Sequence, residues 1–206
     1  MMEMEKQNDV YCINSTFEVR ELGEGEERKP CICGYAIRYN SMSEDMGFRE
    51  IIARGALDKT DLSDVIFTFN HDISKVLARN NILDGVGSLK LTVDAEGLFF
   101  EAIPTDTSYS RDLLENVKSG VINKCSFRFR LDHKDLTAQT WDWDNGNRGY
   151  DLRTINKIKK ILDVSLVTFP AYSQASVTSY KRAKDDAEKE KQEALEKEKL
   201  LIELNI

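Results

Sequence analysis

Only two histidines, His71 and His133, occur in the 206 residues of this chain. Any imidazole acid–base chemistry must therefore use one of them. Cysteine is nearly as sparse. Cys12, Cys31, Cys33 and Cys125 are too few for a disulfide scaffold in a chain of this length, and they lack the CxxC pairs of a zinc site. They read as reduced thiols of a cytosolic protein. Basic residues are outnumbered, 29 Lys+Arg against 36 Asp+Glu, for a formal net charge of −7. With no strong basic patch, that balance argues against broad nucleic-acid binding. No apolar run reaches the ~18 residues of a membrane span. The opening MMEMEKQNDV is polar and acidic, unlike a signal peptide, so no membrane partner is expected. There is no G-x-S-x-G elbow and no Walker loop, which argues against an α/β hydrolase or a P-loop enzyme. No internal repeat is visible.

A hydrophobic fraction of 41% is enough for one core. The organisation reads as a polar segment over 1–30, one domain over 31–180, and a Lys- and Glu-rich tail over 181–206. β-rich runs fall at 11–20, 31–39, 65–70, 121–131, 153–158 and 161–169, and the last (ILDVSLVTF) is the most apolar and should be central. Residues 89–93 and 98–103 alternate around Asp94-Ala95-Glu96-Gly97, the pattern of a hairpin. Thr107 lies among N-cap candidates, Tyr109, Leu113, Leu114 and Val117 recur at helical spacing, and Gly120 ends the run, predicting a helix over 108–119. A short helix is expected through Thr60, and a surface loop or hairpin tip over 137–149. In the tail, opposite charges three or four positions apart support a solvated helix, with partner binding or coiled-coil formation as its alternative. These elements predict a mainly β fold, a small barrel or sandwich with helices packed outside.

Three positions stand out chemically. His71 follows an apolar strand in Phe67-Thr68-Phe69-Asn70-His71-Asp72, where a rigid scaffold can present a functional group. His133, in Leu131-Asp132-His133-Lys134-Asp135, reads as an exposed turn residue. Ser126 lies in a strand beside Cys125, a competing nucleophile. Neighbouring strand residues point to opposite faces, so only one of the two can face His71. Asp163 interrupts an apolar strand, where a carboxylate is costly unless paired with a cation or an N–H group. Glu101, in Leu98-Phe99-Phe100-Glu101-Ala102, poses the same problem. An ordinary structural role is the alternative for each.

Taken in order, these segments resemble the prohead (procapsid) maturation protease family of tailed bacteriophages, phage relatives of herpesvirus assemblin. The resemblance runs over roughly 31–180. Its segments are Gly34-Tyr35-Ala36 with Asn40-Ser41, Phe48-Arg49-Glu50 through Gly55-Ala56, Phe69-Asn70-His71-Asp72, Lys75-Val76-Leu77-Ala78-Arg79, Gly97-Leu98 with Glu101-Ala102, Pro104 through Leu113, Cys125-Ser126-Phe127, and Asp163 through Tyr172. Each fragment is weak alone; their collinear order is the signal.

The resemblance implies an assemblin-like serine protease fold, a closed or nearly closed antiparallel barrel with surrounding helices. It implies a serine endopeptidase with Ser126 as nucleophile and His71 as base. Asp163 takes the third position, with Glu101 as the alternative member. Backbone N–H groups of Ala171 and Tyr172 would form the oxyanion hole, with no metal or cofactor. The implied partners are the phage scaffold and major capsid protein, cleaved together with the enzyme itself inside the assembling procapsid in the host bacterial cytoplasm. A homo-oligomer is compatible with the family pattern. The competing readings are a catalytically inactive scaffold or assembly protein with a protease-like domain, and a small-ester hydrolase on a similar barrel.

Overall fold

The structure is a computed structural model that describes residues 9–13, 17–23, 29–81, 85–132 and 134–168, with isolated positions between 189 and 199. Alternating burial runs through its central strands. In β5 (Asp64–Phe69), Val65 and Phe67 point into the core; in β10 (Lys124–Arg130), Cys125, Phe127 and Phe129 do so; in β13 (Lys160–Val167), Ile161, Val164 and Leu166 do so. These three belong to a six-stranded sheet completed by β1 (Asp9–Ile13), β6 (Ala78–Asn81) and β7 (Val86–Gly87), in the order β1-β10-β13-β5-β6-β7. A four-stranded sheet follows the order β2-β3-β9-β8, from β2 (Phe17–Leu22), β3 (Lys29–Arg38), β8 (Leu89–Val93) and β9 (Gly97–Ala102). The two sheets share one core, and Phe67 of β5 meets Phe100 of β9 at 5.3 Å between ring centroids. A small third sheet, β11-β12-β4, joins β4 (Arg49–Ile52), β11 (Gln139–Asp142) and β12 (Leu152–Ile155).

The predicted helix is α1 (Ser108–Lys118). Thr107 caps it by accepting from Ser110 N–H, and Leu113, Leu114 and Val117 bury its apolar face. The predicted hairpin is β8–β9, closed by Asp94 N–H donating to Gly97 O at 3.0 Å. Gly97 is required there: at φ 152° an added Cβ would lie 1.9 Å from the Ile37 carbonyl oxygen.

Other expectations change. The fold is mainly β, but the barrel is not closed: among the described residues the six-stranded sheet ends at β1 and β7, and no ladder joins the three sheets. Nor is it wholly antiparallel, because β13 pairs parallel to β5 and β12 parallel to β4. Parallel neighbours need long crossovers, and here the connections are long enough to carry whole elements, including α1. The expected single strand over 11–20 is two strands that diverge, β1 pairing with β10 and β2 with β3. No helix runs to Thr60. Gly55 takes a left-handed φ of 87°, and the segment is a series of i→i+3 turns instead. Of the two readings of 137–149, the hairpin holds: the segment contains β11, which pairs antiparallel with β12. His133 and the continuous 181–206 tail fall outside the described residues.

Candidate active site

The three candidate side chains come from three adjacent strands: Ser126 from β10, Asp163 from β13, and His71 from the turn that ends β5. Strand alternation sends Cys125, Phe127 and Phe129 into the core and leaves Ser126 and Arg128 on the opposite face of β10. On β13, Asp163 and Ser165 lie opposite that pair in register: Ser126 faces Ser165 and Arg128 faces Asp163. A register shift between Arg128 and Phe129 follows immediately.

His71 reaches this face through a tight turn. Asn70 and His71 both have left-handed φ, 52° and 58°, and Asp72 N–H donates to Phe69 O at 3.0 Å. Two consecutive positive φ values around such a bond are the mark of a type I′ turn, and Asn and His are among the residues that tolerate them. β13 fixes the turn from beneath. Asn70 N–H donates to Leu166 O at 2.8 Å, and His71 N–H donates to Ser165 Oγ at 2.9 Å.

The imidazole then bridges the other two groups. His71 Nδ1 is 2.8 Å from Asp163 Oδ1, and His71 Nε2 is 2.8 Å from Ser126 Oγ. A carboxylate can only accept, so Nδ1 carries the proton and Nε2 is left to accept from the Ser126 hydroxyl. Asp163 is fully buried. Its second oxygen, Oδ2, accepts from Arg128 Nε at 2.6 Å and from the same guanidinium's terminal nitrogen. The buried charge is therefore compensated, as a carboxylate in an apolar strand requires. Ser126 is buried and the His71 side chain is 16% exposed, so the ring is the part of the group that meets solvent.

Glu101 lies elsewhere, on β9 in the four-stranded sheet, 3.2 Å from Lys90 Nζ. Cys125 packs in the core behind the sheet. Cys31 and Cys33 are buried on β3, and burial pushes the Cys31 thiol up to about 11, which disfavours its nucleophilic form. Ala171 and Tyr172 fall outside the described residues. Among the described residues no cluster of three or more His, Cys, Asp or Glu could hold a metal ion. Sequence reasoning passed over Arg128 and Ser165. Their signal was the two-residue period: each lies two positions beyond a candidate, Ser126 and Asp163, on the same strand face.

A family model described as caudovirus prohead serine protease matches residues 15–190. Among solved structures, the bacteriophage T4 capsid assembly protease gp21 superposes with a TM-score of 0.51 at 12% identity, covering 81% of this chain and all of that one. At that identity the likeness is one of fold. No curated protein matches the chain in sequence.

Proposed function

The chain belongs to the caudovirus prohead serine proteases, and from that membership we propose that Ser126, His71 and Asp163 are its catalytic triad, acting on proteins of the assembling capsid. The observation that carries this reading is the position of His71, with one ring nitrogen 2.8 Å from a serine hydroxyl and the other 2.8 Å from a buried carboxylate.

In this mechanism Ser126 Oγ attacks the scissile carbonyl while its proton passes to His71 Nε2. The imidazolium so formed is stabilised through Nδ1–H by Asp163, then gives its proton to the leaving amine. Water repeats the sequence on the acyl-enzyme and frees Ser126. The developing oxyanion needs preorganised donors. By family resemblance these are the backbone N–H groups of Ala171 and Tyr172, since Pro170 has none. The substrates would be the phage scaffold, the capsid-protein precursor and the protease itself, within the procapsid. The resemblance in fold to a capsid assembly protease supports that assignment.

The test is intact-mass spectrometry over time on the chain mixed with its cognate scaffold and capsid precursor. The unmodified chain should generate discrete fragments; Ser126→Ala should generate none while keeping its thermal unfolding transition. Cys125→Ser should still cleave. Cleavage by Ser126→Ala would overturn the assignment.

A further inference from the structure

The Arg128–Asp163 contact has no place in a three-residue triad, yet it occupies half of the buried acid. We propose that Arg128 is a positioning residue of the active site, fixing the orientation of Asp163 and, through it, that of His71. This rests on the triad reading above.

Three observations carry it. First, Asp163 is fully buried and has its two oxygens divided, Oδ1 to His71 and Oδ2 to Arg128. A carboxylate held on one oxygen alone can rotate about its terminal bond; one held on both cannot without breaking a charge-assisted bond. Second, the pair is fixed by the sheet rather than by flexible loops. Arg128 and Asp163 are direct cross-strand partners, and Ser126 lies two residues before Arg128 on the same face. Nucleophile and acid are therefore indexed to each other through one strand and one guanidinium. The register shift between Arg128 and Phe129 ends the regular ladder just beyond the pair. Such irregularities re-aim side chains beside functional sites.

Third, the charge balance is local. Among the described residues the charged groups at the ring are Asp163 on β13 and Arg128 on β10. Asp72 and Lys75, on His71's own turn, are exposed and 3.9 Å from each other. The strand β1 beside β10 is described in its backbone alone. Without Arg128, Asp163 would face His71 as an uncompensated buried negative charge. That favours imidazolium, the form in which His71 cannot accept the Ser126 proton.

With two histidines in the chain, the ring can be observed directly. The experiment is ¹H–¹⁵N NMR of full-length chain labelled at histidine, with His133→Gln to assign the signals, beside cleavage of the cognate capsid precursor. In the unmodified chain the His71 Nδ1–H proton should appear far downfield. Arg128→Met should broaden or remove the Nδ1–H signal and slow cleavage about 10²-fold, through kcat rather than KM. Arg128→Lys keeps the buried charge balance without the planar fork, so it is the variant most able to fold. It should keep the Nδ1–H signal and slow cleavage about tenfold.

An unchanged Nδ1–H signal with an unchanged cleavage rate in Arg128→Met would overturn the proposal and leave the triad standing. If Arg128→Met does not fold, Arg128→Lys decides: cleavage at the unmodified rate overturns the proposal. Asp163→Asn separates the underlying reading. Normal cleavage by that variant would remove Asp163 from the triad, and Arg128's role with it.

Discussion

His71 is held in a backbone conformation that costs of order 1–3 kcal/mol for a residue other than glycine, and its neighbour Asn70 shares it. What holds the pair is the Ser165 hydroxyl, which accepts from His71 N–H and faces the Thr68 carbonyl at 3.2 Å. Replacing Ser165 with Ala leaves a partly buried N–H without its acceptor. The expected loss is about 1–3 kcal/mol of stability by denaturant unfolding, with a fall in kcat larger than any change in KM, because the change displaces the ring. A second residue-scale prediction concerns acid. Lys160 and Ser63 hold the Asp61 carboxyl down to about 2 through hydrogen bonds. A depressed carboxyl stabilises the fold above its ordinary value and loses that contribution as pH falls through the folded one. Asp61→Asn should therefore cost less than ~1 kcal/mol of stability at pH 7 for so exposed a pair, seen as a slightly lower melting temperature. The gap should close near pH 2, as followed by thermal scans across that range.

At the scale of elements, legibility follows range. Helix α1 and the β8–β9 hairpin were legible because their signals are local: a capping threonine with 3.6-residue spacing, and a four-residue turn between alternating runs. The individual residues His71, Ser126 and Asp163 stood out for the same reason, each an odd polar group beside an apolar run. Their meeting was expected only through the family resemblance, because it depends on β13 lying parallel to β5, which neither segment states by itself. For Arg128 the two-residue period from Ser126 gave the strand face alone; its role needs Asp163 to lie across from it. β12 was legible within the β-rich run over 153–158, but the third sheet was not, because its other strands, β4 and β11, have four residues each, too few for a period to declare itself.

That small sheet is secured by the pair Arg153–Glu50, in register across β12 and β4, 2.9 Å apart and buried on both sides. Gln139 of β11 accepts from the same guanidinium at 2.7 Å. Glu50→Ala strips the carboxylate from a buried cation. It should cost about 3–5 kcal/mol, measured by chemical denaturation.

For the molecule as a whole, the decisive feature is the place of β13. It is the final strand of the sheet in sequence, yet it is inserted between β10 and β5, and it joins them both in register. A chain ending at Lys159 should therefore show neither a cooperative unfolding transition by calorimetry nor cleavage of the capsid precursor, though it retains His71 and Ser126. During synthesis the same arrangement works as a delay. On the proposed triad, Ser126 and His71 leave the ribosome early but stay uncoupled until the strand bearing Asp163 has emerged and inserted between β10 and β5. A nascent chain working by that triad would have no means of cutting its neighbours before β13 is in place.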